Sequence, residues 1–174
     1  RGRALLILLL EFYFRKGYEC TKIEAQKLAY FLQEAGVDLK LRYVADKFGP
    51  YADNLNHVLE RIDGHFTVTL GDRVSKSEIR LIKSSLPEAR EFLKEDEEAE
   101  RCLRKVETLI DRCETPLSME VLATTHWVIN HERFERDDFD GVKSFVQNWN
   151  EHKASWNESY LKKAISRLEQ FGWA

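Results

Sequence analysis

The stretch GRALLILLLEFYF, from Gly2 to Phe14, constrains the fold most. At helical spacing its apolar side chains sit nearly all round. Such a helix must be buried on most sides, so the rest of the chain has to wrap it. The expected helix runs from about Arg3 to Lys16 and ends at Gly17. Its unbroken apolar run, Ala4 to Leu10, is seven residues, far short of the ~20 that span a bilayer. No small-residue cleavage site follows it. No membrane association is expected. The chain opens on Arg1, which fits a piece of something longer.

The following segments punctuate themselves clearly. In TKIEAQKLAYFLQEAG, Thr21 and Glu24 make a capping box, Leu28, Phe31, Leu32 and Ala35 give the apolar face, and Gly36 gives the stop. Leu39, Leu41 and Tyr43 alternate with charged residues and predict a strand over 39–43. Gly49-Pro50 then turns the chain, with Pro50 placed to open a helix striped by Leu55, Val58, Leu59 and Ile62. HFTVTLGD and SEIRLI read as two paired strands, joined by the 39–43 segment in one small sheet. The stretch from Leu86 to Cys113 is long for one helix, and a break is expected near Glu95–Asp96. Thr115 and Pro116 start the next helix. Two more follow, from about Asp140 and through SYLKKAISRLEQ, after which Trp173 folds back on the core. The expected fold is a single compact domain over 1–174, mainly α with a small antiparallel β-sheet.

Chemistry is harder to find. No HExxH, CxxC, GxSxG or glycine-rich phosphate loop occurs. The wide spacing of Cys20, Cys102 and Cys113 suits a reducing, cytoplasmic setting. No metal, cofactor or catalytic residue is expected. Net charge is −3, which argues against a DNA-coating surface. The acids cluster, however. Glu88 to Glu100 holds seven acids against two bases, and Glu132 to Asp140 holds five against two. Such runs are either solvated faces or a docking surface for a basic partner.

The most loaded stretch is KFGPYADNLNHVLERIDGHF, Lys47 to Phe66. Structurally, Phe48 and Tyr51 can pin the Gly-Pro corner to the core, and Asn54 can satisfy turn carbonyls. Functionally, Asp53, Asn54, His57 and Glu60 can form a polar row beside the apolar stripe.

The pieces TKIEAQKLAYFLQEAG, RYVADKFGPYADNLNHVLERIDGHF, ETPLSMEVLATTHWV, VQNWNEHK and LEQFGWA resemble the C-terminal part of the DarG family, antitoxins of bacterial DarTG toxin–antitoxin systems. The resemblance runs from Arg3 to Trp173, and KLAYFLQ with KFGPYADNL is also remotely similar to Panacea-type antitoxin domains. It implies a toxin-binding domain, normally fused to an N-terminal macrodomain that removes ADP-ribose from DNA. Its partner would be a DarT-like ADP-ribosyltransferase. The family's landmarks fall here on Gln26, Lys27, Tyr30, Phe48, Gly49, Pro50, Tyr51, Asn54, His57, Glu60, Gly64 and His65.

The resulting expectation is a non-enzymatic antitoxin domain that inhibits its toxin by DNA mimicry, covering the toxin's DNA groove with acidic surface and binding no nucleic acid itself. The partner-binding candidates are Tyr51, Asp53, Asn54, His57, Glu60 and His65, with Glu95, Asp96, Glu97, Glu98, Glu135, Asp137 and Asp138 from the acidic runs. The alternative is a small helical enzyme or regulatory domain acting on a nucleotide-derived ligand. A concavity lined by His57, His65 and a buried carboxylate would favour it.

Overall fold

In the computed structural model of the chain, residues 1–15, 20–70, 77–135 and 137–174 are described. In order they form α1 (Gly2–Phe14), β1 (Cys20–Thr21), α2 (Lys22–Glu34), β2 (Val44–Asp46), β3 (Gly49–Tyr51), α3 (Leu55–Ile62), β4 (Thr67–Leu70), β5 (Glu78–Leu81), a 3₁₀ turn at Lys83–Ser85, α4 (Leu86–Leu93), α5 (Glu97–Ile110), α6 (Pro116–Asn130), α7 (Phe139–Gln147), α8 (Glu151–Ala154) and α9 (Glu158–Gln170). This is the mainly helical α+β domain that the sequence predicts.

α1 is enclosed as its composition demands. Leu5, Leu6, Leu9, Leu10 and Tyr13 are buried, and α2, α4 and α5 pack around the helix. Its predicted stop, Gly17, lies outside the described residues. α6 is a second buried rod, with every residue from Met119 to Ile129 buried. It contacts α2, α7, α9 and β3, so it ties the two halves of the chain together. Trp173 does return to this core, with its ring 5.5 Å from Phe31 and 5.7 Å from His126. Burial holds His126 neutral, its pKa pushed down to about 3, while Tyr30 shares a 2.7 Å hydrogen bond with its Nδ1. Among the described residues, no helix is long and apolar enough to cross a membrane.

Local signals set most helix ends. Glu24 accepts from the backbone N–H of Thr21 at 2.8 Å and from its hydroxyl at 3.0 Å. The same buried carboxylate accepts from the Tyr13 hydroxyl, which links α1 to the start of α2. Asp96 caps α5 through Ala99 N–H, so the break predicted near Glu95–Asp96 is real. Thr115 caps α6.

Two strand expectations need correction. β4 and β5 pair antiparallel as predicted, from Thr67 opposite Leu81 to Leu70 opposite Glu78. Gly71 and Asp72, the end of the HFTVTLGD stretch, lie outside the described residues. The third strand of that sheet, however, is β1, with Cys20 opposite Ile79. The 39–43 segment forms no ladder, because side-chain amides take its backbone groups. Gln33 exchanges two hydrogen bonds with Leu41, and Asn54 accepts from Arg42 N–H and donates to the Lys40 carbonyl. Second, Pro50 opens no helix. It sits in β3, which pairs with β2 as a separate hairpin, Ala45 opposite Pro50. A proline is tolerated in such a two-stranded edge ribbon.

The hairpin lies so close to α6 that only glycine fits at position 49. A Cβ there would stand 2.5 Å from Thr124 Oγ1, and φ is +90°. Gly64 also has positive φ, +81°, but open space around it. Gly64→Ala is therefore expected to cost about 1–2 kcal/mol of strain. Gly49→Ala is expected to cost roughly 2–5 kcal/mol, because overpacking adds to the same strain. Urea unfolding of the two variants checks the difference, and equal losses would refute the close approach.

Candidate functional site

A cleft of about 690 Å³ opens beside the hairpin. Lys22, Ile23, Gln26 and Lys27 of α2 line one wall. Asp46, Phe48 and Tyr51 come from the hairpin, and Asp53, Asn56, His57, Leu59 and Glu60 from the start and polar side of α3. Asp63 and Thr69 close the far end. The arrangement follows from α3, which turns Leu55, Leu59 and Ile62 inward and so leaves the intervening polar residues facing out.

Side chains that grip the hairpin's backbone fix that wall. The Lys27 ammonium donates to the Pro50 carbonyl at 2.8 Å. Gln26 bonds Ala52 in both directions, at 2.9 and 3.0 Å. Trp149 Nε1 donates to the Asp46 carbonyl at 2.9 Å, and Asn150 to that of Lys47 at 2.9 Å. Lys153 reaches the Lys47 carbonyl at 3.1 Å and also pairs with the buried Glu120 carboxylate. Lys27 is only 1% exposed. Burial pushes its pKa down to about 7, against the pull of Glu120 and Asp46 and with the repulsion of Lys153. Burial lowers Lys153 too, while Glu120 opposes that shift.

The cleft's own polar groups are wetter. Asn56 donates to the Tyr51 hydroxyl at 3.2 Å and to Asp53 at 3.4 Å. His57 Nδ1 stands 3.6 Å from Glu60 Oε2, both exposed. Asp63 accepts from Thr69 N–H at 2.8 Å. Four carboxylates, one exposed imidazole and two aromatic rings therefore share one concavity. They can bond hydroxyls and exocyclic amines, stack on a base, and stabilise developing positive charge. Among the described residues, no group of three or more His, Cys, Asp or Glu is placed to hold a metal ion.

The structure divides the predicted site residues. Tyr51, Asp53, His57 and Glu60 share the cleft. Asn54 does not, because both ends of its amide serve the 40–42 backbone. His65 is elsewhere, 2.8 Å from Glu88 at the start of α4, so the expected concavity with both histidines does not form. The acidic runs are also apart from the cleft. Asp96 binds Arg1, which with the Ala99 N–H lowers its pKa to about 2, and Glu98 pairs with Arg1 as well. Asp138 caps α7 through Gly141 N–H. Glu95, Glu97, Glu135 and Asp137 are exposed. Several of these acids thus serve the fold itself, which weakens the physical case for a phosphate-like row. Sequence reasoning missed Lys22, Asp46, Asp63 and Thr69 as cleft residues. It listed Lys27 without seeing that a lysine set among Ala25, Leu28 and Tyr30 must find a buried acceptor.

No family model matches the sequence. Among curated proteins, a Thermus aquaticus protein named DNA ADP-ribosyl glycohydrolase is 41% identical over 171 residues, which is 98% of this chain and 47% of that protein. Proteins of the same name from Mycobacterium tuberculosis and Mycobacterium bovis are 33% identical, over 96% of this chain and 52% of theirs. The chain spans about half the length of the curated relatives it matches. These likenesses correct the expectation of a separate DarG toxin-binding domain. Each relative bears the name of an enzyme acting on ADP-ribosylated DNA, and the match runs through almost all of this chain. The non-enzymatic antitoxin, the inhibition of a DarT-like partner by DNA mimicry, and the exclusion of nucleic acid are therefore not upheld.

The cleft wall carries a pH signature. Folded Lys27 releases its proton near pH 7, whereas the unfolded residue holds it to about pH 10.4. Between those values the unfolded chain binds more protons, so stability rises with pH; below pH 7 both forms are protonated and the full cost of the buried charge remains. From pH 7 to 8.5 the protein is expected to gain on Lys27→Met by up to about 1.4 kcal/mol per pH unit. Urea unfolding at several pH values tests this, and parallel stability curves for the two proteins would exclude it.

Proposed function

We propose that this chain acts as part of a DNA ADP-ribosyl glycohydrolase, its cleft holding the nucleotide portion of an ADP-ribosylated strand. The observation that supports this is the 41% identity to the Thermus aquaticus protein of that name along 98% of the chain. The cleft offers suitable chemistry. Hydrolysis of a glycosidic bond passes through a cation-like sugar, which one carboxylate stabilises while it draws a proton from the attacking water and a second carboxyl, protonated, gives its proton to the leaving group. Asp46, Asp53, Glu60 and Asp63 are carboxylates lining one open cavity. Phe48 and Tyr51 present rings for a base, and Lys22 a charge for a phosphate. Three thiols, none in a disulfide, suit a reducing interior, and we place the protein in the cytoplasm.

The test is release of ADP-ribose from an ADP-ribosylated oligonucleotide, by the isolated chain and by a protein of its relatives' full length. Asp53→Asn and Glu60→Gln are expected to lower kcat/KM at least tenfold, about 1.4 kcal/mol of transition-state stabilisation. Full activity in both variants would remove the cleft from the reaction. No release by either protein would overturn the reading as a whole.

A further inference from the structure

We propose that the groove between α6 and α9 binds single-stranded DNA through its phosphates and one stacked base. This rests on the reading that the substrate is DNA, and it supplies a strand-holding site away from the carboxylate-rich cleft. The groove is about 760 Å³. Arg112, Lys162, Lys163 and Arg167 line it, and among the described residues no carboxylate does. The chain's net charge of −3 hides this patch, because the acids gather elsewhere. Lys162 is shared with Glu158. The Arg167 guanidinium is pinned by the carbonyls of Leu109, Thr108 and Asp111, so its charge is fixed in place. Arg112 and Lys163 are exposed, and Arg112 Nε pairs loosely with Asp111 Oδ2 at 3.9 Å.

The apolar part of the groove favours a strand over a protein. Tyr160 is 41% and Leu117 39% exposed, and both line the groove. Tyr160, Lys163 and Arg167 lie at i, i+3 and i+7, which puts them along one face of α9. A ring flanked by cations at this spacing matches an unpaired base between its phosphates. A stable acidic protein partner would cover on the order of 800 Å² of surface on each side, whereas among the described residues the groove exposes only Tyr160 and Leu117 as large apolar side chains. A duplex offers no free base face to Tyr160.

The experiment is fluorescence anisotropy with a labelled, unmodified single-stranded oligonucleotide, titrated at several salt concentrations. Three phosphate contacts, from Arg112, Lys162 and Lys163, with the Arg167 donors kept by their carbonyls, predict a log–log salt slope of about −2. Replacing Arg112 by Asn and Lys163 by Ser should bring the slope to about −0.7; asparagine suits the φ of +66° at position 112. Tyr160→Ala should weaken binding roughly tenfold. An absence of binding, a salt slope untouched by the double variant, or equal affinity for duplex would overturn the proposal, as would equally effective competition by polyglutamate. The oligonucleotide carries no ADP-ribose, and the Arg112, Lys163 and Tyr160 variants, all outside the cleft, read the groove's share of its binding. Release of ADP-ribose judges the cleft separately.

Discussion

Two buried lysines govern the architecture. Lys27 and Lys153 are withdrawn from water, and each ammonium reaches a carbonyl of the β2–β3 hairpin. Removing such a charge from water costs several kcal/mol unless its donors find good acceptors. Glu120 is the buried counter-charge, with Lys153 against one oxygen and His152 3.1 Å from the other. A sliding hairpin would take the Pro50 and Lys47 carbonyls away from the two lysines, leaving Lys27 without its backbone acceptor and Lys153 with Glu120 alone. That constraint explains how a ribbon of three residues a side holds one register, since an isolated hairpin of this size is marginal in water. The hairpin in turn sets the entry to α3, and α3 presents the polar row. The cleft's shape therefore depends on charges that never touch solvent.

Charge also sorts the surface. The cleft gathers carboxylates, whereas the α6–α9 groove gathers cations. The strongly acidic stretches are neither of these places. Asp96 and Asp138 cap helices, and Asp96 and Glu98 hold Arg1 from far away in the sequence. An exposed ion pair of that kind contributes little to stability. Its effect here is to lower the field that those runs would otherwise project. Net charge, a sum over the whole chain, was thus a poor guide to what any one face can bind.

What could be read from the sequence was whatever neighbours in sequence decide. The all-round apolarity of Gly2–Phe14, the Thr21–Glu24 box, the break before Glu97 and the Thr115-Pro116 start are all settled within a turn or two of helix. The 39–43 segment misled because its alternation is real but its hydrogen bonds go to Gln33 and Asn54, one before it and one after. No periodicity reveals that. Pairing of Cys20 with Ile79 is equally invisible, being a contact across 59 residues. His57 and His65 are near in sequence yet serve different places, because α3 ends and the chain reverses at Gly64 between them. For function, the family resemblance outran the residues, and comparison with the named enzymes corrected it.

The landmark residues take on a different meaning in the folded chain. Gln26, Lys27 and Asn54 donate to backbone carbonyls. Gly49 is required by Thr124, and Pro50 offers the carbonyl that Lys27 needs. Tyr30 is occupied by His126 in the core. Gln26, Lys27, Asn54 and Tyr30 are thus each engaged inside the scaffold. The polar row facing the cleft is narrower: the landmarks His57 and Glu60, beside each other, and Asp53 next to Asn56, held at the rim by the scaffold that the others build. A scaffold this committed can tolerate changes at the rim without losing the fold. Chemistry at the rim can therefore be altered one residue at a time, and loss of activity there can be separated from loss of structure.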